Sequence, residues 1–380
     1  MANKVLIAGA SGVVGASAVD AYLAAGWEVV ALSRRPPEVD SPQPFQHLAC
    51  DLRDAASSRA ALATLQGVTH VVYAALFEQP GLIAGWQDAE QMRTNLAMLD
   101  HCLTPLLENK ANRIMHVSLL QGTKAYGIHL HPMPIPARER APRDAHANFY
   151  WLQEDWLRAA ADGHGFGWTI LRPQLILGRA HGVAMNLIPV LGAYAAICKE
   201  TGRSFGFPGG VSYVWEAVDA RLLAKVFVWA SDAEVARGQH YNVTNGDVFE
   251  WRNLWPAISA ALGVEPGPDA PLPMAEFLPA HAAVWDRVVA RHGLRPVPLA
   301  ALLGESHHYA DFCFACGATT APPPAFVSAI KLRRAGFTEV CDTEDTFGYW
   351  IADFQRRGYC RGLEHAGGGT AGRFRQPAFA

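Results

Sequence analysis

Six short apolar runs rich in β-branched residues punctuate the first half of the chain. They are KVLIAGA (Lys4–Ala10), WEVVALS (Trp27–Ser33), FQHLACDL (Phe45–Leu52), VTHVVYAAL (Val68–Leu76), RIMHVSLL (Arg113–Leu120) and GWTILRPQLILG (Gly167–Gly178). KVLIAGA is apolar throughout rather than alternating, as expected of a central parallel strand buried on both faces. Between the runs the apolar spacing becomes helical, as in VVGASAVDAYLAAG. Strands alternating with helices predict an α/β chain built on a Rossmann-type doubly wound parallel sheet. Beyond Gly178 the pattern changes. Residues 1–178 form the predicted core, with 214–245 returning to it as a helix over Val214–Ala230 and a strand in HYNVTN. Residues 179–213 and 246–362 form a smaller, mostly helical C-terminal substrate lobe. The Gly-rich stretch 363–380 reads as a disordered tail.

Ligands of such a sheet sit at the carboxyl ends of its strands. The first of those ends carries GASGVVG, placed after a strand and opening a helix, which is the context that makes a glycine pattern specific. Gly9 permits the tight turn, Gly12 lets backbone approach a pyrophosphate, and Gly15 lets helix and strand pack closely. Ser11, Val13 and Val14 complete a loop whose helix N-terminus offers free N–H groups to phosphate. The second strand ends in Ser33, Arg34 and Arg35, where an NAD site would carry Asp or Glu. Two arginines favour a 2′-phosphate and hence NADPH. Asp51 and Leu52, Ala74 and Ala75, and Ser118 extend the predicted cofactor contacts along the other strand ends.

Half of the 380 residues are hydrophobic, 18% are charged and the net charge is −3, so neither nucleic acid nor an acidic membrane is an expected partner. The run VAMNLIPVLGAYAAIC (Val183–Cys198) is too short to span a bilayer and contains Asn186 and Pro189, so it reads as a buried helix. Glycines at 9, 12 and 15 argue against reading the first apolar run as a secretory signal. Seven scattered cysteines suit free thiols in a cytoplasmic protein. Cys313 and Cys316 form a lone C-x-x-C with no second ligand pair, so no metal is expected and core packing is the simpler reading.

A short-chain reductase would carry a tyrosine with a lysine four residues later. The six lysines stand at 4, 110, 124, 199, 225 and 331, and none follows a tyrosine by four. Tyr150, which opens a predicted helix in NFYWLQED, has Glu154 instead, expected on a solvated helix face. Lys124 lies in SLLQGTKAYG, just past the fifth strand. Two separate elements could therefore bring lysine and tyrosine to one point.

These residues also carry a resemblance. LLQGTKAYG, NFYWLQED, LRPQLILG, MNLIPVLGAYAAICKETG, FGFPGG and YNVTNGDVFEWRNLWP together resemble the progesterone 5β-reductase and iridoid synthase-like enone reductases, atypical extended short-chain reductases. The resemblance runs from about Lys4 to Tyr359. It implies that Lys124 and Tyr150 are catalytic, and that Pro173, Leu175 and Ile176 lie beside the nicotinamide. Two departures bear on substrate preference: the stretch between lysine and tyrosine is short, and an aromatic usual after the fourth strand is here Leu76 or Phe77. An apolar pocket is expected, with Phe77, Met185, Tyr213, Tyr309 and Phe312 as candidates.

The reading is an NADPH-dependent 1,4-reduction of the activated C=C bond of a small apolar enone or enal. Hydride goes to the β-carbon, Tyr150 stabilises the enolate oxygen, and Lys124 holds the nicotinamide ribose and lowers the tyrosine pKa. A ketone reductase or nucleotide-sugar epimerase/dehydratase shares the fold but normally needs tyrosine and lysine four apart. A non-catalytic NADP-sensing protein is the third reading. The sequence leaves a homodimer open.

Overall fold

The computed structural model describes residues 3–361, so the 363–380 tail lies outside the described residues. Seven parallel strands form the main sheet: β1 (Lys4–Ala8), β2 (Glu28–Ser33), β3 (Gln46–Ala49), β4 (His70–Tyr73), β5 (His116–Leu120), β6 (Gly167–Pro173) and β10 (Gln239–Val243). Their order across the sheet is β10-β6-β5-β4-β1-β2-β3. Every neighbouring pair is parallel. The order reverses at β1, so the crevice beside its carboxyl end is where a ligand of this architecture sits. Val5, Leu6, Ile7 and Ala8 are fully buried, which is why β1 lacks an alternating pattern.

Helices cover both faces. Helix α1 (Gly15–Ala24) opens on Gly15, Ala16, Ser17 and Ala18, all buried. A Cβ on Gly15 would lie 2.1 Å from the Gly9 carbonyl oxygen, so the small residue sets how closely helix and turn approach. Helices α2 (Ala55–Leu62), α3 (Ala89–Glu108) and α4 (Phe149–His164) follow β3, β4 and β5 respectively.

The sixth apolar run divides. Pro173 ends β6, and β7 (Leu175–Leu177) leaves the main sheet to pair with β9 (Ala217–Asp219). A proline offers no N–H to a ladder, so a central strand stops there. The helix expected from Val214 begins only at Ala220. Val214–Trp215 is a strand, β8, paired with β11 (Phe249–Glu250), and β9 follows it. Backbone partners supplied from distant segments override the helical spacing. The Asp219 side chain then caps α6 (Ala220–Asp232) by accepting from Arg221 N.

The remaining lobe is helical. Its α5 (Leu187–Thr201) is buried along most of its circumference, from Leu187 to Cys198, as a wholly apolar helix inside a lobe must be. Around it pack α7 (Trp251–Leu262), α8 (Met274–Ala280), α9 (Ala282–His292), α10 (Leu299–Leu303), α11 (Ser306–Cys313) and α13 (Thr343–Arg356), with α12 (Ile330–Arg334) beside β10. Cys313 is fully buried in this aromatic core and Cys316 only partly. Among the described residues no helix is long and apolar enough to cross a membrane, and no cluster of three or more His, Cys, Asp or Glu could hold a metal.

Arg179 pins the lobe to the sheet domain. Its guanidinium is buried and donates to Asp353 at 2.9 Å on α13, to Asp20 at 3.1 Å on α1, and to Asp40 in the loop after β2.

Candidate active site

A cavity of about 790 Å³ runs along the carboxyl ends of β1 to β6 and under the helical lobe. At its first end lies the glycine turn. Gly9 has φ +83°, and a Cβ there would meet the Ala74 carbonyl oxygen at 2.7 Å. Any larger residue would push β1 from β4, so glycine is required by both conformation and space. Ser11, Gly12, Val13 and Val14 line the cavity at the start of α1. Gly15 does not line it and serves the helix–turn contact described above.

Ser33, Arg34 and Arg35 line the next stretch. The Ser33 hydroxyl donates to Arg35 O at 2.7 Å, which shapes this corner, and the Arg35 guanidinium reaches across to the His181 carbonyl of the lobe. Asp51 and Leu52 line the cavity beside Ala74 and Ala75, with Asp51 paired to Arg53 at 2.6 Å. Ser118 is a correction. Strand β5 runs on to Leu120, so Ser118 sits two residues short of its end, buried in the sheet and away from the cavity.

At the far end Lys124 and Tyr150 converge. Lys124 is in a 3₁₀ turn, Thr123–Tyr126, following β5, while Tyr150 is the second residue of α4. Asn148 joins the two: its Oδ1 accepts from Tyr150 N at 3.0 Å, capping α4, and its Nδ2 donates to Lys124 O at 3.2 Å. Gln121 holds the other side of the tyrosine backbone, donating to Tyr150 O at 3.1 Å and accepting from Arg172 Nε at 3.1 Å. A Cβ on Gly122 would come within 3.1 Å of the Tyr150 hydroxyl, so glycine keeps the space beside that oxygen open. Asn148, Gln121 and Gly122 carried no signal as isolated residues; only the capping position of an Asn before FYWLQED hinted at one.

Lys124 Nζ lies over the Trp86 ring at 4.5 Å, with the rings of Phe149 and Tyr150 at 5.7 and 6.0 Å. Its carboxylate partner is Glu78, at 3.3 Å, a residue whose side chain is 2% exposed and which sequence reasoning missed. Burial lowers the lysine pKa and Glu78 draws it back up; burial likewise raises the Glu78 carboxyl against the pull of Lys124. The tyrosine does not titrate as expected. Burial, and then the negative charge of Glu78, hold its pKa well above the ordinary value, opposed by Arg172. Lys124 has its charge met by Glu78, and Tyr150 remains a neutral hydrogen-bond donor.

Glu154 is not on a solvated face. It is 2% exposed and lies 2.8 Å from Arg158, 3.1 Å from Arg143 and His240, and 3.5 Å from Arg172. Although burial would raise its pKa, His240, Arg158 and Arg143 hold the carboxyl well below the usual range.

Pro173, Leu175 and Ile176 line the cavity, as do Phe77, Met185, Tyr309 and Phe312. Phe77 sits against Arg53, 5.5 Å from ring centre to guanidinium. Phe312 meets the Trp86 and Trp215 rings edge-on. Tyr213 does not reach the cavity. Its hydroxyl donates to Cys313 O at 2.7 Å and its ring packs on the lobe core.

Residues 50–301 match the family described as PRISE-like Rossmann-fold domain. Curated relatives include the (S)-8-oxocitronellyl enol synthase of Catharanthus roseus, 29% identical over 81% of each chain. The Camptotheca acuminata enzyme CYC2 of the same name is 31% identical over 77% of this chain and 79% of its own. Among solved structures, the fold is similar to Thermotoga maritima UDP-glucose 4-epimerase, with TM-score 0.66 and 13% identity over 93% and 99% of the two chains. It is also similar to Bordetella bronchiseptica WbmH, with TM-score 0.64 and 16% identity over 94% and 100%. The chain belongs to the PRISE family, the progesterone 5β-reductase and iridoid synthase-like Rossmann-fold enzymes.

Proposed function

We propose that this enzyme catalyses NADPH-dependent 1,4-reduction of an enone or enal. The observation that carries the reading is the meeting of the Lys124 turn and the Tyr150 helix at one end of the cavity, joined by the Asn148 side chain. The rest of the cavity fits a dinucleotide. Gly9 and Gly12 leave backbone bare at the N-terminus of α1, and Arg34 and Arg35 suit a 2′-phosphate. The related WbmH structure contains NAD+, which supports a nicotinamide cofactor; the arginines favour its phosphorylated form here.

When bound, the nicotinamide supplies a hydride. The Tyr150 hydroxyl donates a hydrogen bond to the carbonyl oxygen on which negative charge develops, a one-donor oxyanion site. A phenol held neutral by burial keeps its O–H and can donate a hydrogen bond, without itself giving up the proton. Lys124 offers its remaining N–H groups to the ribose hydroxyls, and the aromatic wall of Trp86, Phe312 and Tyr309 excludes water from the acceptor. Hydride addition to the β-carbon of an enal leaves an enolate, which takes a proton from solvent to give the enol, and the curated relatives are named for an enol product. Epimerases share the fold, but here the position four residues after the tyrosine carries Glu154 inside a cationic cluster.

Deuteride from C4-labelled NADPH, offered with a panel of enals, cyclic enones and Δ4-3-ketosteroids, is expected on the β-carbon of a saturated product. Label on the carbonyl carbon would instead make the protein a ketone reductase.

A further inference from the structure

Glu78 is a buried carboxylate that the mechanism above does not use. It stands five residues beyond the end of β4, in the FEQP stretch, with Oε1 at 3.3 Å from Lys124 Nζ and Oε2 accepting from Gln91 Nε2 at 2.5 Å. Gln91 is itself fixed. Its N donates to Asp88 Oδ1 at 2.7 Å at the start of α3, and its Oε1 accepts from Gln79 N at 2.8 Å. The carboxylate is thus aimed at the lysine by the helix, not by its own loop alone.

What else faces Lys124 makes this contact decisive. Trp86, Phe149 and Tyr150 present rings, and His129 is the other ionisable neighbour, its pKa lowered to about 4 by burial and then by the lysine charge. A neutral His129 offers no anion. Arg172 lies behind Tyr150 but is matched by Glu154. Tyr309 adds a phenol raised by burial. Glu78 is therefore the anion that faces the lysine, and without it the ammonium would keep only the attraction of the ring faces against the cost of burial, which disfavours the charged form.

We infer that Glu78 is a positioning residue of this site: it keeps Lys124 charged and fixed between Trp86 and Tyr150, so that the lysine can serve the ribose while Tyr150 stays a neutral donor. The inference rests on the proposed reductase reading for its catalytic consequence, but the Glu78–Lys124 pair can be tested without it.

The direct test is the pH dependence of Lys124 acetylation by acetic anhydride, read by peptide mass spectrometry in the wild type, Glu78→Gln and Glu78→Asp. Only the neutral amine reacts. Losing a facing opposite charge should lower the Lys124 midpoint by about one to three pH units in Glu78→Gln. Glu78→Asp, which keeps the charge, should restore most of the shift. In parallel, the alkaline limb of kcat/KM for NADPH-dependent reduction should move to lower pH in Glu78→Gln, since the protonated lysine is the working form. A purely structural role would lower activity without moving the limb. Equal labelling midpoints in wild type and Glu78→Gln overturn the proposal. A shifted midpoint in a protein that reduces no enone upholds the pair and removes the reductase reading alone. Should Glu78→Gln fail to fold, Glu78→Gln/Lys124→Met removes both charges and is expected to fold again; a double variant as unfolded as the single overturns the pairing.

Discussion

Asn148 is the side chain through which helix and turn are joined, and separating its bonds to the two tests whether the joint matters to chemistry. It is 5% exposed, with Oδ1 on Tyr150 N and Nδ2 on Lys124 O. Asn148→Ala removes both, and with them the contact of Nδ2 to His146 Nε2 at 3.0 Å. A lost N-cap costs about 1 kcal/mol, and the second buried hydrogen bond about another 1, for roughly 2 kcal/mol of stability. Asn148→Ser keeps a hydroxyl able to cap α4 but is too short to reach the Lys124 carbonyl, so it should lose only about 1 kcal/mol. If the bridge orients Lys124, both variants lose kcat/KM by roughly fivefold, the rate equivalent of about 1 kcal/mol. Urea unfolding and steady-state kinetics on the same preparations separate the two effects. Alanine less stable than serine, with both equally slow, is the expected pattern. A serine variant with wild-type kcat/KM would refute the role of the bridge in catalysis and leave Asn148 as a helix cap only.

Tyr150→Phe should lower kcat by about 10²–10³ and leave NADPH affinity nearly unchanged, because one oxyanion donor is lost and the ring stays; full turnover on every substrate would remove the donor role. Replacing both Arg34 and Arg35 with alanine should weaken NADPH binding by about 3–6 kcal/mol if both meet the phosphate, with little change for NADH, as titration calorimetry would show. Equal wild-type affinity for the two cofactors would sink that assignment. Glu154→Gln should cost about 3 kcal/mol at neutral pH by leaving Arg158, Arg172 and His240 without this anion, while Arg143 keeps Asp155. Because the folded carboxyl is depressed, its contribution is present above the ordinary value of about 4.5 and is lost as pH falls towards its lower folded value. The stability gap between variant and wild type should therefore narrow on acidification, and a constant gap would argue against the ion cluster.

The sheet was legible because its central strands are buried on both faces and need only apolar, β-branched runs, as in Val5–Ala8 and Val71–Tyr73. The glycine turn was legible because Gly9 and Gly15 answer to backbone contacts that no other residue permits. What the sequence could not show were contacts made by segments far apart. β8 and β9 are extended because β11 and β7 offer them partners. Tyr213 has the composition of a pocket residue, yet its hydroxyl is spent on Cys313 O, 100 residues away. Glu78 had no periodic or motif signal at all; its role exists only because α3 brings Gln91, and the turn after β5 brings Lys124, to the same point.

The surroundings of Glu154 show why a lysine would not suit the position four residues after Tyr150. The sequence registered only an absence, a tyrosine without its lysine four residues on. In the fold that position faces Arg172 of β6, His240 of β10, Arg143 of the preceding connection and Arg158 one turn further along α4. Three of the four are arginines, charged at any working pH. A lysine at 154 would add another cation to this buried cluster, with no anion within reach of it among the described partners. Like charges in such a site raise the cost of burial or force the lysine to lose its proton. A carboxylate there does the opposite, and it also leaves Arg172 free to hold Gln121, which in turn holds the Tyr150 carbonyl. The helix that carries the tyrosine is thus anchored by an anion at the position where other short-chain reductases place their cation. The cation beside Tyr150 comes instead from the turn after β5, at the same end of the cavity, with Glu78 as its own counter-charge.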